Sequence, residues 1–342
     1  MVDAVYRQLN YLIETESEVA INLMYLSFNI TQEHHITDIK QKAIVIKNII
    51  DNINLGYKTL ILNGAHEHRG IEPLMVAILN LIAIPNDKIK LVLSIPTDNL
   101  ILTKYNLQII PSASANMFNF YGKIKEQNIL WKDIPLLSHF IVLANNTTIE
   151  RAEIIKSILD IEKSKVRASF GATFRNSLSD SQLEYWKKIM HPYPMPLTID
   201  KEYFSDYHDI NSPSYTLYQS LVNVVLESLL PTNPYTDLSE KSYKPFAWRQ
   251  MPLWFAPAGQ VDVVRKLGFD TFDDFFNGHK YNLETNIQLY KLKLLQTIKN
   301  FAQKYPSLDD IKILRNSIWN RIDDNEKHLA KIIENNPYYL QA

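Results

Sequence analysis

The chain has 342 residues, 46% of them hydrophobic and 21% charged, which is enough for two domains with separate cores. Its 36 Lys+Arg nearly balance 37 Asp+Glu, and a formal net charge of -1 argues against a surface that is one continuous nucleic-acid or membrane footprint. There is no cysteine, so disulfides, thiolate catalysis, iron–sulfur clusters and cysteine zinc sites are excluded. Glycine is scarce: 8 residues, about 2% against a usual ~7%. Neither G-x-G-x-x-G nor G-x-x-x-x-G-K-[ST] occurs, so any phosphate must be held by cationic side chains and helix ends. No leader pattern and no run of about 18 apolar residues is visible, and a cytoplasmic chain without a membrane span is expected.

The first part alternates apolar strands with helical spacing. Ala20–Phe28 is an apolar run, Asp38–Ile50 is helical and Lys58–Asn63 reads as a buried strand. Pro73–Ile82 then reads as a helix, Lys90–Ile95 and Leu107–Ile110 as strands, and Ser112–Tyr121 as irregular. Such alternation predicts a parallel sheet covered by helices on both faces. The pattern restarts with strands at His139–Ala144, Lys165–Phe170, Ser220–Leu226 and Pro252–Ala256. The intervening segments Thr148–Leu159, Ser179–Met190, Glu240–Arg249 and Gln260–Leu267 read as helices, the last stopped by Gly268 as a C′ residue. Two helices close the chain, Leu283–Ala302 and Leu308–Glu334, the second with Ser307 as N-cap. The expected organisation is residues 1–135, 136–282 and a set of C-terminal helices over 283–342, packed on the two α/β units.

Two helix starts share a design. Thr147 and Glu150 have capping-box spacing, and so do Asp237 and Glu240; in each case a cation follows, Arg151 and Lys241. A cation near a helix N-terminus is mildly unfavourable unless an anion joins it. The pair is therefore a competent diphosphate site. Spacing alone favours the plainer outcome, in which each cation pairs with its neighbouring glutamate on a solvated face.

The segment FIVLANNTTIERAEIIKSIL (140–159) resembles the strand, Asn-rich turn, Arg and helix that open the donor domain of fucosyltransferase-like enzymes, and similar segments occur in glycosyltransferases of tailed phages and large DNA viruses. Residues 222–272 resemble the same family more closely: a strand ending in Glu227, then Ser239-Glu240-Lys241, Lys244-Pro245, Pro252–Pro257, and the tail from Arg265 through Phe272. The resemblance covers residues 138–285; the N-terminal half matches nothing nameable. It implies an α/β protein of the GT-B fold, two Rossmann-like domains facing across a cleft. The C-terminal domain would hold a nucleotide-sugar and the other would present the acceptor. It further implies that Arg151 and Lys241 neutralise the donor diphosphate, that Glu240 holds the ribose or sugar, and that Glu227 and Ser239 belong to the donor site.

The resemblance also sets the remaining expectations. With no D-x-D pair, no metal and no cofactor beyond the donor co-substrate are called for. A base would come from the first half, where His66 and Glu67 follow the Lys58–Asn63 strand, although such a loop is more often ordinary charged surface. The acceptor would be a glycan, a protein or hydroxymethylated DNA. DNA ranks lower because only a local cluster such as Lys123, Lys125 and Lys132 supplies charge. If viral, the chain would act in the host cytoplasm. Two departures weigh the other way: Asn277–Asn282 lacks the acids of the family pattern, and Trp254 is bulky enough to narrow the cleft. A catalytically silent GT-B-like module that binds nucleotide or polymer in a viral assembly is the alternative. The aromatic stretch Met117–Tyr121 and Tyr203, Phe204, Tyr207, Tyr215 and Tyr218 are candidate stacking groups.

Overall fold

The computed structural model describes residues 12–64, 71–93, 105, 107–111, 131–144, 148–170, 179–195, 197, 218–227, 230–232 and 238–334. Within these it is a mixed α/β protein with two largely parallel sheets and C-terminal helices. Contacts divide the chain into Met1–Phe118 with Lys331–Ala342, and Asn119–Ala330.

The first unit holds β1 (Leu12–Glu14), β2 (Glu18–Asn22), β3 (Thr59–Asn63), β4 (Ile89–Leu93) and β5 (Gln108–Pro111), paired in that order. β1 is antiparallel to β2 and all other neighbours are parallel. Its helices are α1 (Leu23–His34), α2 (Ile39–Asp51) and α3 (Ile71–Leu79). The Ala20–Phe28 run thus divides at Leu23 between strand and helix. Asp38 is the N-cap of α2 and accepts from Gln41 N at 2.9 Å. Register sets Ile21, Leu62 and Leu91 side by side, and that row shares one core with Leu26, Ile46, Ile50, Met75 and Ile78. Ala20 and Ile61 on the other face are buried as well, and the described helices of this sheet share one face. Strand order that follows chain order explains this, since right-handed crossovers that all step the same way stay on one side.

The second unit holds β6 (Ser138–Ala144), β7 (Val166–Phe170), β8 (Ser220–Leu226) and β9 (Met251–Phe255) in the order β7-β6-β8-β9, all parallel. β6, β8 and β9 are almost wholly buried and read as largely apolar runs because both faces of a parallel sheet are covered. Its helices are α4 (Ile149–Glu162), α5 (Asp180–Met190), α6 (Glu240–Ala247), α7 (Gln260–Lys266), α8 (Ile287–Lys304), α9 (Leu308–Ser317) and α10 (Trp319–Glu334), the last belonging to this unit up to Ala330. Gly268, at φ 93°, terminates α7 as expected.

The last two helices replace the single one expected over Leu308–Glu334. The break is at Ile318, where Ser317 Oγ donates to Leu314 O at 2.7 Å and competes with the helical ladder. Ser307 caps α9 as expected, in a capping box with Asp310. α8 begins at Ile287 because Asn286 accepts from Gln288 N and Leu289 N at 3.0 and 3.1 Å.

These helices are tied to the second sheet. α8 packs on α4, Lys291 pairs with Glu153 at 2.6 Å, and Tyr290 donates to Trp254 O at 2.9 Å. Buried Arg315 of α9 donates to the carbonyls of Ile134 and Lys132 at 2.7 and 3.2 Å. Arg249 pairs with Glu326 of α10 at 3.0 Å and lies 4.8 Å from the Trp131 ring.

Candidate functional site

In the second sheet, the chain leaves β6 in one direction, towards β7, and later continues from β8 in the other, towards β9. The strand order reverses between β6 and β8, and the crevice outside the carboxyl ends of those two strands is where open α/β sheets bind ligands. Among the described strands β2–β5 of the first sheet there is no such reversal. Each strand of the second sheet is followed by a helix, and those that bear on the reversal are α4 after β6, α6 after β8 and α7 after β9.

The first two meet on Glu227, the residue that follows β8. From α4, the Arg151 guanidinium donates through Nη2 to Glu227 O at 2.8 Å and to Leu226 O at 3.5 Å. From α6, Ser239 donates to Glu227 Oε2 at 2.7 Å and Ser242 to Oε1 at 2.6 Å. Gln260, the first residue of α7, donates from Nε2 to Ser242 Oγ at 3.1 Å. Arg151 is 5% exposed and Glu227 2%, so the cluster is interior. A carboxylate survives there because it is hydrogen-bonded, and a guanidinium because strand-end carbonyls receive it.

Both caps sit further along than the spacing suggested. Thr148, not Thr147, is the N-cap of α4: it is extended (φ -125°, ψ 156°) and accepts from Arg151 N at 3.3 Å. Ser239, not Asp237, is the N-cap of α6 and accepts from Lys241 N at 3.2 Å. Neighbouring residues able to cap compete, and the winner is the one at which the backbone turns into the helix. Arg151 therefore occupies N3 of α4, and it is buried rather than on a solvated face. Lys241 is half-buried, with Nζ 3.4 Å from Ser239 Oγ. Glu240 opens α6.

The third start is already filled. α7 has Gly259 at its N-cap, at φ 85°, with no side chain to offer. Asn282 supplies both missing acceptors: its carbonyl takes Gly259 N at 2.6 Å and its Oδ1 takes Val261 N at 2.8 Å. Its amide also donates to Asp262 Oδ2 at 2.9 Å. The segment Asn277–Asn282 thus does structural work without acids.

His279 in the same segment is fully buried and its hydrogen bonds fix its tautomer. Thr271 O, 2.7 Å from Nε2, can only accept, so Nε2 carries the proton and Nδ1 accepts from Tyr281 Oη at 2.7 Å. Tyr281 Oη in turn accepts from Trp254 N at 3.3 Å. Burial pushes the His279 pKa down to about 4.

The tail from Arg265 to Phe272, the end of the second segment behind the family resemblance, is likewise architectural. Arg265 donates to Thr271 Oγ1 at 3.2 Å and to Asp273 at 2.8 Å, and it pairs with Asp262. Phe269 stacks on Phe246 with 4.2 Å between centroids. Trp254 lies wholly in the core between Phe246 and His279, so it narrows no cleft, contrary to expectation.

His66, Glu67, Lys123, Lys125, Met117–Tyr121, Tyr203, Phe204, Tyr207 and Tyr215 lie outside the described residues. Lys132 rests its ammonium 5.4 Å from the Trp319 ring centroid, and Tyr218 is buried edge-on to Trp131 at 4.8 Å. The structure brings together Arg151, Glu227, Ser239 and Lys241, and it adds Ser242 and Gln260, which the sequence reading missed. The signal for Ser242 was available: Ser239 and Ser242, at i and i+3, share one face of the helix that comes after the strand and Glu227. Compared with models of protein families and with curated proteins, the chain matches none.

Proposed function

We propose that the protein is a glycosyltransferase of the GT-B type, moving a sugar from a nucleotide-sugar to an acceptor hydroxyl without a metal. The observation that carries this reading is the convergence of α4 and α6 on Glu227 at the strand-order reversal. It sets two helix N-termini and the cations Arg151 and Lys241 at one sheet edge. An anion gains there from both helix dipoles and from the nearby cations.

In the proposed reaction the acceptor oxygen bonds to the anomeric carbon while the bond from that carbon to the diphosphate breaks. The electron pair leaves with the nucleoside diphosphate, and the hydroxyl proton passes to a base, for which His66 and Glu67 are the candidates. Lys241, half-buried at N2 of α6, is the direct contact for the departing diphosphate. Arg151 acts from behind it, because its guanidinium is committed to the end of β8. Its charge still favours an anion at this edge, where low polarity strengthens the field. Glu240 is the proposed ribose or sugar contact. The silent-module alternative drew on the missing acids at 277–282, and those positions are occupied with capping α7 and packing the core.

The test is melting temperature with UDP-, GDP- and CMP-sugars, followed by donor hydrolysis. One nucleotide class should raise the melting temperature of the parent protein, and Lys241→Ala should remove most of that rise while leaving the unliganded value within about a degree. A Lys241→Ala protein with the full nucleotide-induced rise would sink the assignment of this edge. Binding without hydrolysis or transfer, whatever acceptor is supplied, would favour the silent module. Duplex DNA as acceptor predicts binding that weakens steeply between low and moderate salt.

A further inference from the structure

Glu227 has no part in the chemistry just proposed, yet it is the hub of the edge. Both of its carboxylate oxygens receive hydroxyl hydrogens, from Ser239 at 2.7 Å and Ser242 at 2.6 Å. A hydroxyl has one hydrogen, so each serine is left able only to accept from its other neighbours. Ser239 Oγ does so from Lys241 N at 3.2 Å, with Lys241 Nζ at 3.4 Å. Ser242 Oγ does so from Gln260 Nε2 at 3.1 Å. Among the described residues, the directions of the serine hydrogen bonds that run from β8 into the first turn of α6 and on to α7 are set by this one carboxylate. Ser239, with its only hydrogen given to Glu227, has none to offer a donor molecule.

We propose that Glu227 is a positioning residue: by polarising Ser239 and Ser242 it holds the first turn of α6, and so Lys241, in the orientation that meets the donor diphosphate. This rests on the reading of the edge given above. Glu227→Gln tests it, because the side chain keeps its shape but places an N–H₂ against one of the two hydroxyl hydrogens. One serine must then turn its hydrogen elsewhere and accept from the new amide; at Ser239, whose two lone pairs already face Lys241 N and Nζ, the added donor displaces one of them.

The expected result is a donor KM, or a nucleotide Kd if turnover is absent, raised at least tenfold, together with amide exchange at least tenfold faster in the first turn of α6 alone. A merely structural role would lower the active fraction, and hence kcat, at unchanged KM. Ser242→Ala removes one arm of the cluster and should show a smaller change of the same kind. It takes the place of Glu227→Gln if that variant does not fold. Wild-type KM or Kd together with wild-type exchange in α6 overturns the proposal. Should the parent protein bind no nucleotide-sugar, the glycosyltransferase reading fails by itself and exchange alone decides: faster exchange confined to α6 supports positioning, and unchanged exchange overturns it.

Discussion

Arg151 donates to the main-chain carbonyl of Glu227 at 2.8 Å, so the cation at the start of α4 closes the end of a strand 76 positions further along the chain. That contact reverses the expectation for its removal. A residue on a solvated face would be dispensable to the fold; a buried guanidinium is not. Arg151→Ala should destabilise by about 1.5–3 kcal/mol, since it strands one or two buried carbonyls. Arg151→Lys should recover little, because the shorter side chain ends its ammonium short of the place from which Nη2 donates to both carbonyls. Chemical denaturation of the unliganded protein measures this, and wild-type stability in Arg151→Ala would refute the buried placement.

Asn282 makes a sharper comparison. Asn282→Ala removes the side-chain acceptor for Val261 N and should cost about 1–2 kcal/mol, in the range of a lost cap. Asn282→Asp keeps that acceptor but faces Asp262 Oδ2, to which the native amide donates at 2.9 Å, so it should recover only part. An aspartate as stable as the asparagine would show that the contact to Asp262 contributes nothing.

The buried imidazole of His279 makes stability depend on acid. Its pKa lies near 4 in the folded chain against an ordinary value of 6.5, so the unfolded chain takes up a proton first as pH falls. Stability from this residue is complete above about pH 6.5 and is lost progressively towards pH 4, by up to about 3 kcal/mol. Asp273, 3.7 Å away, opposes the shift, and burial outweighs it. Imidazole titration by NMR checks the value: a midpoint near 6.5 in the folded protein would refute it.

Gly268 tests the close approach of α10 to the end of α7. At φ 93° a side chain is strained, and a Cβ there would lie 2.9 Å from His328 Nε2. That ring cannot simply swing away, because Nε2 donates to Leu267 O at 2.6 Å. Gly268→Ala should cost about 1–3 kcal/mol. The cost should shrink in a His328→Ala background, where only the backbone strain is left. Equal costs in both backgrounds would rule out the clash.

What could be read along the chain follows local rules. The strands of a parallel sheet are buried on both faces, so β3, β6 and β8 stand out as apolar runs whatever their neighbours. Helix starts could be located to within a residue or two, but Thr147 against Thr148, and Asp237 against Ser239, are choices between residues one or two positions apart that can all cap. The backbone angle at the exit from the sheet makes that choice. That Arg151 and Lys241 stand in the first turns of two helices was legible as well.

Strand order was not legible, because a β–α–β–α alternation has the same local periodicity whether crossovers step in one direction, as in β2–β5, or reverse, as between β6 and β8. Only pairing between distant segments distinguishes them, and the reversal alone creates the crevice. The partners of Arg151 and Glu227 were hidden for the same reason. A carbonyl at 227 carries no sequence signature, and it becomes the receptor of a guanidinium only where β8 ends beside the first turn of α4. Local pattern was enough for the elements and the residue types at their ends; packing between distant segments made Arg151 interior and left Lys241 half-buried.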